Sequence, residues 1–435
     1  DTIERHFKNN MTSKDDKFII TGGSPISGEI AVVGAKNAAL KALAASLILS
    51  EGSVIQNVPQ IEDIQRLIDI IEDLGVEIER DGKNYTIADP KIKKAILDPT
   101  LHQRTRSSIL LAVPILLQHG EVEFAYPGGC VIGKRPIDFF LNGYREFGID
   151  IEENSAGFKL SAKNLKPAKI VFGRISVTGT EAMMMLASRV VGKSEIINAA
   201  MEPEVIALGE FLNSCGAKIS GLGTPHLTIE GVEKLSGGTY ITPPDRIEAG
   251  TFAILAAATN SELIVTNIEP SHMEVFWQLL RQAGIRFELG FNSVKMIPSL
   301  GQLKAIPKDI ITHEYPGFPT DLQAPMAVLM TQAKGQSLIF ETIYEGRLFY
   351  VDLLNSMGAD IFMADPHRVM ITGPTKLQGA KLTSPDIRAG IAMVIAGLIA
   401  DGQTEIDNIY QIDRGYENIE ARLQSIGAKI ERIKS

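Results

Sequence analysis

The chemistry in this 435-residue chain is most visible in Tyr126-Pro127-Gly128-Gly129-Cys130-Val131-Ile132-Gly133-Lys134-Arg135-Pro136. Three glycines between prolines describe a surface loop. A thiol there, with Lys134 and Arg135 close in sequence, sits where its thiolate is favoured and where a substrate can reach it. Those types suit a nucleophile or acid that handles an anion. A lone cysteine is as readily inert packing, so Cys130 takes its meaning from the other polar residues that break into apolar surroundings.

Those residues recur at one kind of place. Lys36-Asn37, Arg106, Ser176-Val177-Thr178, Asp245-Arg246, Thr320-Asp321 and Asp386-Ile387-Arg388 each stand just ahead of an almost wholly apolar stretch. The stretches are 38–49, 108–117, 182–191, 251–258, 322–331 and 389–400, and a helix apolar on every side must be buried. Lysine or arginine beside the partly positive start of a helix is electrostatically misplaced unless an anion joins them. Arg135, Arg347 and Arg414 add cations ahead of a second helix in three places. Asp245, Asp321 and Asp386 also fit as N-caps, which is the plainer reading of each taken singly.

The elements that must carry these residues repeat. An apolar-Gly-apolar-polar-apolar phrase returns around Gly75, Gly148, Gly216, Gly284, Gly358 and Gly427, at spacings of 73, 68, 68, 74 and 69. Ahead of the first, Ile64, Leu67, Ile68, Ile71 and Leu74 form a helical stripe, which Gly75 ends in left-handed geometry. Val76 and Ile78 alternate as a strand. Each unit of ~70 residues therefore reads as α/β, with one buried helix, one half-exposed helix and three or four short strands. Six units divide into three and three, with a join near Pro243-Pro244.

Length alone makes two domains the default. A formal net charge of −9 argues against a nucleic-acid or anionic-membrane binder, so an anionic ligand must be held by local cations. Cys130 and Cys215 cannot form a disulfide framework, Cys215 reads as packing, and the seven histidines lack metal-ligand spacing. No apolar run approaches a membrane span, and the expected location is cytoplasmic. Residues 1–14 are polar and aperiodic and are expected to be a disordered extension.

Gly34-Ala35-Lys36-Asn37, the Cys130 loop, Pro243-Pro244-Asp245-Arg246-Ile247-Glu248, Phe318-Pro319-Thr320-Asp321 and Ile412-Asp413-Arg414-Gly415-Tyr416-Glu417 resemble, in order along the chain, the UDP-N-acetylglucosamine enolpyruvyl transferase family. The resemblance implies a two-domain inside-out α/β barrel, with 36–243 as one threefold domain and 15–35 plus 244–435 as the other. It implies transfer of enolpyruvate from phosphoenolpyruvate to the sugar 3′-hydroxyl of UDP-N-acetylglucosamine, with release of phosphate, by a monomer needing no metal or cofactor. Carried over by residue, phosphoenolpyruvate falls to Lys36, Asn37, Arg135, Arg388 and Arg414. The nucleotide sugar falls to Arg106, Arg135, Pro136, Ile137, Asp138, Phe139, Arg174, Ile175, Ser176, Val177, Asp321 and Ile343. Cys130, Asp321, Lys36, Asp386 and Arg414 are the implied catalytic set, with Cys130 as proton donor.

Phe140 and Gln411 stand where the family commonly has histidines, and Thr178-Gly179 replaces its usual small pair. A sister transferase acting on shikimate 3-phosphate and a weakly active UDP-sugar-binding regulator are the rival readings. The Cys130 loop and Asp413-Arg414-Gly415-Tyr416 argue against the first, and the intact set Lys36, Cys130, Asp321 and Arg414 against the second. Because cations are divided between the halves, substrate binding is expected to draw the domains together.

Overall fold

A computed structural model describes residues 15–126 and 137–434. The Cys130 loop with Arg135 and Pro136, and the 1–14 extension, lie outside the described residues. The described chain forms two compact units: a first of residues 34–126 and 137–243, and a second of 15–33 and 244–434.

Six small sheets carry the repeat. In five of them a strand pairs parallel to a central strand, which pairs antiparallel with a third, itself antiparallel to a fourth; one such sheet joins Lys169–Val171, Gly192–Ile197, His226–Gly231 and Lys218–Ser220. The sixth has three strands, Glu121–Ala125, Gly157–Ser161 and Asp150–Asn154, with the parallel partner reduced to a bridge between Ile96 and Glu123. Two sheets are completed by distant chain. Gly238–Ile241 pairs with Ser53–Gln56 in the first unit, and Gly28–Ala31 pairs with Leu263–Thr266 in the second. In the last sheet Lys17–Thr21 lies between Gln403–Asp407 and Lys429–Ile433, antiparallel to both.

The apolar stretches form helices at Lys36–Ser46, Ala112–His119, Val177–Arg189, Arg246–Ala258, Gln323–Met330 and Ile387–Ile399. Their apolar residues are almost wholly excluded from solvent, with Met183, Met184 and Met185 at 0% exposure. In the second unit the three core helices pack on one another. Two of the expected helices begin differently: Arg106–Leu111 and Thr320–Leu322 are 3₁₀ turns, and the α-helix starts two residues before Pro114 and Pro325. Proline deeper in an α-helix would remove a hydrogen bond and strike the carbonyl four residues back, so the α-helical ladder can open only just ahead of it.

The core helices also carry charge that the apolar reading overlooked. Lys41 Nζ lies 3.3 Å from Glu181 Oε2, both buried, joining the first and third core helices of the first unit. Burial pushes the Glu181 carboxyl up to about 8 against the opposing pull of Lys41.

All six repeat glycines have φ between 79° and 102°, the left-handed geometry expected of a helix stop. The structure shows a second mark of the repeat. Asn57, Asn198, Asn267 and Asn408 follow a central strand with φ of 55° to 60°. Their side-chain amides donate to the carbonyls of Thr242, Phe172, Val32 and Ser384, each just past the parallel strand. Asparagine tolerates the left-handed region, and here it also stitches the end of the parallel pair.

Cys215 is 1% exposed and ends the Pro203–Ser214 helix, where burial raises its thiol, as suits packing. No helix among the described residues is long and apolar enough to cross a membrane.

Candidate active site

Four of these helices start earlier than the apolar stretches and the other two follow 3₁₀ turns that do, so the misplaced cations lie inside first turns. Lys36 is the first residue of its helix, whose N-cap Ala35 offers no side-chain acceptor and whose first turn holds no acid. The helix start therefore keeps its partial positive charge and adds an ammonium to it. Lys36 Nζ is held 3.0 Å from Asp63 Oδ2. Asp63 also lies 3.9 Å from Arg66, whose guanidinium donates to the carbonyl of Arg104 at 2.6 Å. That chain of contacts links Lys36 to the segment entering the Arg106 turn. The sequence does not mark Asp63, because an acid in the first turn of an amphipathic helix reads as ordinary dipole compensation.

Elsewhere in the first unit each expected residue stands at its own helix start. Arg106 opens a 3₁₀ turn whose N-cap Thr105 makes no side-chain cap. Ser176 caps the third core helix, its Oγ accepting from Gly179 N at 3.1 Å. Arg174 is exposed, while Asn37, Ile175 and Val177 are half-buried. Ile137 precedes the Asp138–Glu146 helix, Asp138 is exposed, and Phe139 meets the Phe172 ring edge-on at 6.3 Å. Phe140, in the place of a family histidine, is buried.

The second unit gathers its charges more tightly. Asp245 and Asp386 are true N-caps: Asp245 accepts from Ile247 and Glu248 N, and Asp386 from Arg388 and Ala389 N at 2.8 and 3.1 Å. Asp321 is not a cap. It sits in the Thr320–Leu322 turn, with no side-chain cap at either the turn or the following helix. Its carboxylate is clasped by two arginines instead, Oδ1 by Arg347 Nη2 at 2.6 Å and Oδ2 by Arg388 Nη2 at 2.8 Å. The Arg347 and Arg388 side chains are 4% and 7% exposed, against 27% for Asp321. Burial works against both guanidinium charges, but Asp321 and neighbouring acids outweigh it and hold both above the ordinary arginine value.

Buried Glu341 ties two expected residues together. Its carboxylate accepts from Ile343 N at 2.8 Å, Tyr344 N at 3.1 Å and Thr320 Oγ1 at 2.8 Å, fixing the Ile343 loop to the turn that bears Asp321. Arg414 ends the Tyr410–Asp413 helix and donates through Nη1 to Gln411 Oε1 at 2.9 Å, so the residue replacing a family histidine steers the arginine. Gly415 follows because a Cβ there would lie 2.7 Å from Ile387 Cγ2. The Arg414 turn can thus press against the start of the Ile387–Ile399 helix.

Each unit therefore offers helix starts loaded with cations, and the second adds the partly exposed Asp321 carboxylate between two arginines. A family model described as EPSP synthase (3-phosphoshikimate 1-carboxyvinyltransferase) matches residues 20–423. The chain is 41% identical to the UDP-N-acetylglucosamine 1-carboxyvinyltransferase of Halothermothrix orenii, over 96% of its own length and 100% of that protein's. It is 42% identical to the protein of that name from Koribacter versatilis over 96% of each. Among solved structures it shares its fold with the enolpyruvyl transferase NikO of Streptomyces tendae, at TM-score 0.87 and 21% identity over 97% of this chain and 99% of that one. It likewise resembles the EPSP synthase of Acinetobacter baumannii, at TM-score 0.74 and 17% identity over 97% and 100%.

Proposed function

Because the chain belongs to the EPSP synthase family, and is about 41% identical along almost its whole length to members named for UDP-N-acetylglucosamine, we propose that it moves the enolpyruvyl group of phosphoenolpyruvate to the 3′-hydroxyl of UDP-N-acetylglucosamine with release of phosphate. This is the first committed step of peptidoglycan synthesis. The near end-to-end likeness at about 41% identity carries the choice of acceptor. The protein acts on these small molecules as a cytoplasmic monomer.

The reaction is an addition followed by an elimination. The 3′-oxygen bonds to C2 of phosphoenolpyruvate while C3 gains a proton; C3 then loses a proton as the C2–O bond to phosphate breaks. A base must relieve the hydroxyl, an acid must protonate C3, and cations must hold an anion of up to three charges. Asp321 is assigned as the base, Cys130 as the acid, and Lys36, Asn37, Arg135, Arg388 and Arg414 as the phosphoenolpyruvate clamp. Asp386 supports catalysis beside Arg388. Arg106, Arg135, Pro136, Ile137, Asp138, Phe139, Arg174, Ile175, Ser176, Val177, Asp321 and Ile343 receive the nucleotide sugar.

Supporting this assignment, Arg388 and Asp321 are in direct contact, and Lys36 stands at an uncapped helix start where an anion is favoured. Incubating the protein with both substrates should give a UDP-sugar heavier by one enolpyruvyl group and an equimolar amount of phosphate. A mixture returning both substrates unchanged would refute the reading.

A further inference from the structure

The assignment of Arg388 to phosphoenolpyruvate leaves open what aims its guanidinium. Arg388 Nη2 is taken by Asp321, and Nη1 donates to the Tyr416 hydroxyl at 3.2 Å. Tyr416 is 1% exposed. Its hydroxyl lies 3.1 Å from Thr251 Oγ1, which in turn donates to the Ile247 carbonyl at 2.8 Å. The direction of the chain follows from proton count. Each hydroxyl has one proton, and Thr251 spends its own on Ile247, so Tyr416 donates to Thr251 and keeps its lone pairs for Arg388. The sequence Arg388 to Tyr416 to Thr251 to Ile247 therefore runs one way, and each bond polarises the next. The Arg388 guanidinium carbon also lies 5.7 Å from the centre of the Tyr416 ring.

We propose that Tyr416 is a positioning residue for phosphoenolpyruvate, acting through Arg388. It anchors the guanidinium to the Arg246–Ala258 helix, and it stands two residues past Arg414. One buried phenol thereby fixes the aim of one clamp arginine and the backbone of the other. The inference rests on the assignment of Arg388 to phosphoenolpyruvate.

Tyr416→Phe keeps the ring and removes the hydroxyl, leaving a buried Arg388 N–H without its acceptor and Thr251 without its donor. The KM for phosphoenolpyruvate should rise ~10–150-fold, as loss of a hydrogen bond to a charged group implies, while the KM for UDP-N-acetylglucosamine stays within about twofold. Arg388→Lys should raise the same constant, and the double variant should be no worse than Arg388→Lys alone, since both act on one contact. Thr251→Ser, which keeps the hydroxyl, should behave as the parent, and Thr251→Val should shift phosphoenolpyruvate binding in the direction of Tyr416→Phe. An unchanged phosphoenolpyruvate KM in Tyr416→Phe, equal rises for both substrates, or additive effects with Arg388→Lys would overturn the proposal. If Arg388→Lys alone leaves phosphoenolpyruvate binding intact, the assignment of Arg388 fails; if it weakens binding and Tyr416→Phe does not, only the role of Tyr416 fails.

Discussion

Asp321→Asn separates two duties that the structure gives one side chain. Read as a helix cap, Asp321 would be replaced by asparagine at almost no cost, because asparagine caps as well. The structure predicts otherwise. The carboxylate bridges Arg347 and Arg388, themselves almost fully buried. Asparagine retains one oxygen for one arginine and turns an N–H₂ donor toward the other. One charge-assisted bond of ~1.5–3 kcal/mol is lost, and the second weakens as its charge disappears. Removing one partner of a buried pair costs ~3–5 kcal/mol, but Asp321 is 27% exposed, and Asp386 still acts on Arg347. We expect a net loss of ~2–3 kcal/mol. For a unit of about two hundred residues this lowers Tm by ~4–12 °C. Turnover should fall ~10²–10⁴-fold if Asp321 takes the 3′-hydroxyl proton, with nucleotide-sugar binding less affected. Differential scanning calorimetry and steady-state phosphate release on the same sample read both numbers. A Tm within a degree of the parent would refute the counter-ion reasoning, and near-normal turnover would refute the role as base.

Three further outcomes follow from other residues. Arg414→Lys keeps the charge but loses the planar fork, and should raise the phosphoenolpyruvate KM roughly tenfold or more with the fold intact, as a substrate titration would show. Gly415→Ala pushes a methyl toward Ile387 and should destabilise by ~1–3 kcal/mol while raising the same KM; denaturant titration and kinetics together check it. His102 is fully buried against Phe124, and burial holds its imidazole down to about 4. Since the folded value lies below the ordinary 6.5, this group's stability is present above pH 6.5 and is lost as pH falls through about 4. Urea unfolding should show ~2–3 kcal/mol less stability at the low end of that window, and His102→Gln should flatten this dependence; identical pH profiles would count against it.

The repeat was legible because it is written in local signals. A glycine that ends a helix and an alternating strand behind it need only their neighbours to form, and all six such glycines adopt the left-handed geometry. The asparagine mark was as regular but was missed, because it is absent from two repeats: Tyr126 and Glu341 stand there instead, and an asparagine after a strand reads as an ordinary turn. The apolar pattern puts these helix starts late because a charged residue ahead of an apolar run reads as lying outside the helix, whereas the helices take Lys36, Arg246 and Arg388 into their first turns. The Asp321 clasp could not be read at all. Arg347 and Arg388 lie 26 and 67 residues from Asp321, one in the turn ahead of the Val351–Ser356 helix and the other in the first turn of the Ile387–Ile399 helix, and only tertiary packing brings them to it. An aspartate opening an apolar helix gives the same local signal whether it caps that helix or holds two arginines.

The acceptor decides which transfer this protein performs. Phosphate release from phosphoenolpyruvate should be measured with UDP-N-acetylglucosamine and, separately, with shikimate 3-phosphate at matched concentrations. Assignment of UDP-N-acetylglucosamine as acceptor predicts saturable release with the nucleotide sugar and none above background with shikimate 3-phosphate. Release driven by shikimate 3-phosphate, or by neither acceptor, would contradict it.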